Sequence, residues 1–253
     1  MTRVRAPVDD LATGERQLDA RTARYLSGAL RLREGDSFVA FDPKRGREAD
    51  AVIVREERGA VVARVGALRD AKVTAERKVT WIQGLAKGDK MDGIVRDATE
   101  LGATRLVPAV TAFSVVKLDD ARGAARTLRW ERIAREAARQ CGRGDAPEVL
   151  RPCDWRAALA SAGDEAARFC LYERAHEPLG PPLADALRKG APLAFAAGPE
   201  GGLDEEEVDL ARDAGWVIAS LGTFVLRTET VAAAVLGAVR VLGTGGTDPS
   251  PLP

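Results

Sequence analysis

Ala197-Gly-Pro-Glu-Gly-Gly-Leu-Asp204 and Leu221-Gly-Thr-Phe-Val-Leu-Arg-Thr-Glu-Thr230 each stand where an apolar run gives way to a helical pattern. The run before the first, Ala191-Pro-Leu-Ala-Phe-Ala-Ala197, reads as a buried strand, and Gly215-Trp-Val-Ile-Ala-Ser-Leu-Gly222 reads as another. After the second loop, Val231, Val235, Leu236, Val239 and Leu242 keep helical spacing. In an open α/β sheet, ligands bind in the crevice at the carboxyl ends of the strands. Two unusual strand-to-helix loops therefore point to one shared small-molecule pocket.

The loops differ in chemistry. Gly198, Gly201 and Gly202 let a ligand approach the main chain without meeting a Cβ, and Pro199 stiffens the turn. Asp204 fits a helix N-cap with Glu207 at the capping-box position. In the second loop Thr228 suits a cap and Glu229 suits the positive end of the helix dipole. Capping does not call for Arg227 beside Glu229 in an otherwise apolar segment. Neither a Walker A loop nor a Rossmann glycine fingerprint is present, which argues against ATP and NAD.

Working outward, apolar runs near 79–85, 105–110, 167–173, 192–197 and 216–221 alternate with helical patterns, so the chain from residue 73 to 247 reads as an α/β domain with a mostly parallel sheet. Residues 1–72 read differently. Ser37-Phe-Val-Ala-Phe-Asp42, Ala49-Asp-Ala-Val-Ile-Val54 and Ala60-Val-Val-Ala-Arg-Val65 look like short strands joined by polar turns, as in a small antiparallel barrel. Residues 248–253 read as a disordered tail. A helix is predicted near 126–141, with an apolar stripe at Trp130, Ile133, Ala134, Ala137 and Ala138 and arginines 132, 135, 139 and 143 along another face.

The 253-residue chain is 45% hydrophobic and 30% charged, enough to bury a sizeable core. It carries no net charge, yet residues 1–78 hold a formal +4 and the remainder −4, which suits a basic RNA-docking module at the front. No apolar stretch is long enough to cross a bilayer and no leader pattern is evident, so a cytoplasmic protein is expected. Cys141, Cys153 and Cys170 lack metal-ligand spacing and His176 is the single histidine, so no metal is expected.

Gly-Pro-Glu-Gly-Gly at 198–202 followed by Leu-Gly-x-x-Val-Leu-Arg-Thr-Glu-Thr at 221–230 resembles the paired signatures of the ribosomal small subunit methyltransferase E family (RsmE), of the SPOUT class. Gln83-Gly-Leu-Ala-Lys-Gly-Asp-Lys-Met-Asp92, Ala98-Thr-Glu-Leu-Gly102, Val107-Pro108, Phe113-Ser-Val115, Trp130-Glu-Arg-Ile133 and Glu136-Ala-Ala-Arg-Gln-Cys-Gly-Arg143 are similar to it in the same order. The resemblance implies a PUA-like RNA-binding barrel ahead of a SPOUT domain with a C-terminal trefoil knot. It implies S-adenosyl-L-methionine as cofactor, N3 of one uridine in 16S rRNA as target, and a homodimer. Carried over position by position, it places the cofactor at Leu171, Gly198, Glu200, Gly201, Ser220, Leu221, Gly222, Val225, Leu226 and Arg227. Arg227 would steady negative charge developing on the uracil and Glu229 would receive or relay its proton. Lys87, Lys90, Arg139 and Arg143 are the candidates for RNA contact.

Three positions depart from the family pattern. Phe224 stands where an arginine is common, Thr22-Ala-Arg-Tyr25 where histidines are frequent, and Arg139 where an acidic or polar residue is usual. Other readings are a SPOUT methyltransferase acting on a different base or on ribose, and a non-catalytic rRNA-binding assembly factor.

Overall fold

The computed structural model describes residues 4–57, 59–114, 120–164 and 166–243; the predicted tail at 248–253 lies outside them. The described residues form two compact units: 4–74 together with 135–146, and 75–134 together with 147–243.

The first unit is a mixed sheet of β1 (Arg5–Pro7), β2 (Gly14–Gln17), β3 (Ser37–Asp42), β4 (Arg47–Glu57), β5 (Ala60–Val65) and β6 (Arg69–Asp70). Strand order is β1-β3-β4-β5-β2, with β6 on β4; β1 runs parallel to β3 and the other pairs are antiparallel. The three strands expected from alternation are β3, β4 and β5. Inward residues at every second position, such as Ala49, Ala51 and Ile53 on β4 and Val61, Ala63 and Val65 on β5, form the core with Leu26 and Phe38. β1 and β2 carry no apolar alternation and owe their form to the neighbours they pair with, which is why sequence did not announce them.

Glu48, on β4, is buried, with its carboxylate 3.0 Å from Arg5 Nη1 and 3.1 Å from Arg69 Nε. Removing the shared anion would leave the largely buried Arg5 without this partner, while Arg69 keeps Asp50 at 3.3 Å. Glu48→Ala is expected to destabilise the protein by about 3 kcal/mol, measured by chemical denaturation.

The second unit carries a parallel sheet ordered β10-β8-β7-β12-β11-β13, with β9 on β8. Its strands are β7 (Val79–Gly84), β8 (Arg105–Val110), β9 (Glu148–Val149), β10 (Cys153–Asp154), β11 (Ala167–Leu171), β12 (Leu193–Ala197) and β13 (Val217–Ala219). The helices between them are α2 (Lys90–Glu100), α3 (Asp120–Cys141), α4 (Trp155–Ala160), α5 (Gly180–Arg188), α6 (Glu205–Asp213) and α7 (Thr228–Gly243), while α1 (Ala20–Ala23) belongs to the first unit. Successive residues on a strand point to opposite faces, so Trp81, Phe169 and Phe195 pack with Met91, Ile94 and Val95 of α2, Leu183 of α5 and Val235 and Leu236 of α7. Their neighbours Ile82, Cys170 and Ala196 face the other side, against Trp155 and Leu159 of α4 and Val208 and Ala211 of α6. Both faces are covered, as an all-parallel sheet requires. Burial pushes the Cys170 thiol up to about 12, so it behaves as a small apolar side chain.

Residues 135–146 fall within the span that alternation assigned to the second unit, yet they pack with the first. Arg135 Nη1 lies 2.8 Å from Asp9 Oδ2, Gly144 N donates to Val73 O at 2.8 Å, and Ala146 N donates to Pro43 O at 2.9 Å. A continuous helical pattern does not reveal that the last turns of α3 change neighbours.

Candidate active site

Because β7, β11, β12 and β13 are parallel neighbours, the loops leaving their carboxyl ends meet on one edge. They enclose a cavity of about 430 Å³. Leu171, Tyr172 and Glu173 line it after β11, residues 197–203 after β12, and Leu221, Gly222 and residues 224–228 after β13; Lys90 and Val231 complete the wall.

A buried polar network sets the loops against one another. Gln83, at the end of β7, is 2% exposed; its Oε1 accepts from Trp81 Nε1 at 3.0 Å and its Nε2 donates to Gly198 O and Thr228 Oγ1, both at 2.9 Å. The Thr228 hydroxyl donates in turn to Gly198 O at 2.9 Å. Close backbone approach demands glycine at two points: a Cβ on Gly198 would lie 2.7 Å from Gly202 C, and one on Gly84 would lie 2.5 Å from Pro199 Cδ. Behind the loop, Asp204 and Glu207 form the expected capping box, and Glu207 also accepts Ala112 N at 2.7 Å. Burial raises the Glu207 carboxyl above its ordinary range despite those bonds.

The loop after β11 clasps the end of β13. Tyr172 N donates to Ala219 O at 3.0 Å, Ser220 N to Glu177 O at 2.8 Å, and Leu179 N to Ser220 O at 2.9 Å. The chain held by these bonds then enters α7, whose first residue is tied to the 198–202 loop by the Thr228 bond.

Charge on the pocket wall is arranged around Lys90. Its ammonium lies 3.1 Å from Glu200 Oε1 and 3.7 Å from Glu229 Oε2, and Lys87 N donates to Glu200 Oε1 at 3.0 Å. The Glu200 pairing raises Lys90 above the usual lysine range. Burial pushes Glu200 up, but hydrogen bonds from backbone and from Lys90 carry it below the ordinary 4.5. A depressed carboxyl contributes stability that is present above 4.5 and is lost as pH falls through its own lower value. Folding stability is therefore expected to hold level down to the ordinary carboxylate range and to decline below it as this pairing is lost, read by chemical denaturation across a pH series.

A family model described as RNA methyltransferase domain matches residues 74–240. The chain is 34% identical to the ribosomal RNA small subunit methyltransferase E of Mycobacterium bovis over 89% of its own length and 86% of the relative's. To the protein of the same name from Bacillus subtilis it is 32% identical, with 85% of each covered. The chain belongs to the ribosomal RNA small subunit methyltransferase E family. A crystal structure of the Neisseria gonorrhoeae member bound to S-adenosyl methionine superposes with a TM-score of 0.84 at 28% identity, covering 96% of this chain and 98% of that one. The fold is accordingly a PUA-like unit and a SPOUT-type α/β unit.

Of the residues expected at the cofactor, Leu171, Gly198, Glu200, Gly201, Leu221, Gly222, Val225, Leu226 and Arg227 all line the cavity. Ser220 does not; its backbone is engaged by 177–179. Glu229 is also off the cavity wall and faces Lys90. Lys90 itself lines the cavity, whereas Lys87 is exposed beside it. Arg139 lies over the Tyr25 ring, 4.0 Å from its centroid, and donates to the Tyr25 hydroxyl. Arg143 is 4% exposed and pairs with Asp145 at 2.8 Å, so burial withdraws it from the open basic face that helical spacing suggested. Sequence reasoning missed Gln83, Tyr172 and Glu173. A lone amide inside the apolar run of β7 was the available signal for Gln83; nothing local marks the other two.

Proposed function

We propose that this chain is an S-adenosyl-L-methionine-dependent methyltransferase that modifies N3 of a specific uridine in small-subunit (16S) rRNA. The observation carrying this reading is the cavity built from the 197–203 and 221–228 loops at one edge of a parallel sheet, in a chain of this family. Its volume of about 430 Å³ falls within the range of small-molecule sites.

The donor set fits the cofactor. Main chain of Gly198, Gly201, Leu221 and Gly222, with the apolar Leu171, Val225 and Leu226, would hold an adenosine, and Glu173 would supply a charge for the ammonium of an amino-acid head. When bound, S-adenosyl-L-methionine supplies a methyl group on a sulfonium, ready for displacement. Uracil N3 carries a proton and lies on the pairing edge, so the base has to be exposed before it can react. Arg227, exposed on the cavity wall, orients the uracil and steadies the negative charge that grows as N3 loses its proton. Glu229, set off the cavity wall beside Lys90, receives that proton by relay, a neighbouring carbonyl being the other route out. Alignment by the rigid glycine loops supplies a large share of the acceleration.

Residues 1–72 act as the RNA-docking domain and 73–247 as the catalytic one. Lys87 and Arg139 remain the RNA-contact candidates, whereas Lys90 is engaged by Glu200 and Glu229 and Arg143 is buried against Asp145. Val241 and Leu242, exposed near the end of α7, support a homodimer through that helix. Among the described residues no helix is long and apolar enough to cross a membrane; we place the protein in the cytoplasm.

The test is transfer of labelled methyl groups to small ribosomal subunits lacking their native base methylations, with the product mapped by nuclease digestion and mass spectrometry. Label recovered as 3-methyluridine at one site is the expected result. Cofactor binding without transfer to any RNA would end the catalytic reading.

A further inference from the structure

Three chain segments that build the cavity meet at one ammonium group. The turn after β7 brings Lys87 N and Lys90, the 198–202 loop brings Glu200, and the first turn of α7 brings Glu229. Glu200 is already bonded to the main chain of the first segment, and Lys90 extends that bond to the third. Glu229 Oε2 is buried from solvent and has no hydrogen-bond partner among the described residues, so the Lys90 charge at 3.7 Å is what offsets it.

We propose that Lys90 is a positioning residue of the methyl-donor pocket rather than a phosphate ligand: it bridges Glu200 and Glu229 and so fixes the 198–202 loop against the start of α7. This rests on the function proposed above. A surface lysine that serves RNA keeps its ammonium in water, ready to replace a counterion. Lys90 instead spends its charge on two carboxylates of its own pocket, which leaves little positive potential for a phosphate. Without it, two carboxylates share one corner with no cation between them, and like charges in contact push the segments apart. The other charged groups at the cavity are Glu173 after β11 and Arg227 before α7, and neither forms an ion pair with Glu200 or Glu229 among the described residues.

The experiment compares wild type, Lys90→Met, Lys90→Arg, Glu200→Gln and the Lys90→Met/Glu200→Gln double variant by calorimetry, with melting curves to establish folding. S-adenosylhomocysteine is the first probe, because it lacks the sulfonium charge that a more negative pocket would attract. Lys90→Met is expected to weaken its binding about tenfold. Lys90→Arg, which keeps the charge and the donors, should recover most of that loss. Glu200→Gln breaks the same bridge from the other side, so its effect should add little to that of Lys90→Met in the double variant. Affinity for a small-subunit rRNA transcript, and its dependence on salt, should be the same in Lys90→Met as in wild type. If Lys90→Met binds the probe like wild type while the salt slope of RNA binding drops by about one, Lys90 is a phosphate ligand and the proposal is overturned. Additive effects of the two substitutions would overturn it as well. Failure of wild type to bind either S-adenosylhomocysteine or S-adenosylmethionine would instead overturn the functional reading beneath it.

Discussion

Arg227→Ala is expected to lower turnover about a hundredfold while leaving cofactor affinity within a factor of a few. Arg227 O accepts from Thr230 N at 2.8 Å and from Val231 N at 3.1 Å, so its backbone is held at the start of α7 while its side chain stays exposed on the cavity wall. Among the described residues no carboxylate forms an ion pair with its guanidinium, in contrast to Lys90 a short way along the same wall. An uncommitted cation there can meet charge that appears only as the uracil loses its proton, and an interaction made only in the transition state is read in turnover rather than binding. Single-turnover methyl transfer and calorimetry on the same preparation separate the two. Full turnover together with full affinity in the alanine variant would remove Arg227 from the chemistry. Arg227→Lys keeps the charge but not the planar fork and should fall between.

Gly198→Val carries the largest expected loss of binding, about a hundredfold in cofactor affinity. Even the first carbon of a side chain would lie 2.7 Å from Gly202 C and 2.8 Å from Gly202 O, both main-chain atoms with nowhere to go. Relief requires opening the 198–202 turn. That opening pulls Gly198 O away from both Gln83 Nε2 and Thr228 Oγ1, and it is these bonds that hold β7, the loop and α7 together. Calorimetry with S-adenosylmethionine reads the loss, and a melting curve checks that the sheet beneath survives. Wild-type affinity in the valine variant would mean that the turn adapts and that the loop is not the rigid wall its contacts describe.

Much of this site was legible before any coordinates. Strand-to-helix punctuation placed both loops, and the glycines, the Asp204–Glu207 capping box and the apolar runs each have a local cause that a few neighbouring residues reveal. Nine of the ten residues assigned to the cofactor by resemblance stand on the cavity wall. The exception, Ser220, is held by backbone bonds to Glu177 and Leu179, far away along the chain, which no local window reveals. Arg143 shows the same limit from the other direction. Its place on a helical stripe suggested an open cation, yet packing beyond α3 buries Arg143 beside the half-buried Asp145 two residues on. Glu229 likewise shares a motif with Arg227, yet their side chains serve different neighbours.

What the sequence determined by itself was the alternation of strand and helix, the two glycine loops, and the family that their order resembles. These are properties of short windows, written in the periods of two and 3.6 residues and in the turn chemistry of glycine, proline and the capping residues. Tertiary structure decided which side chains reach the cavity, which charges are consumed by partners, that 172–179 clasps β13 before the chain enters α7, and that residues 135–146 join the first unit. Those outcomes depend on the register between segments scores of residues apart. Local periodicity does not encode that register, because the same pattern of apolar positions buries equally well against more than one neighbour.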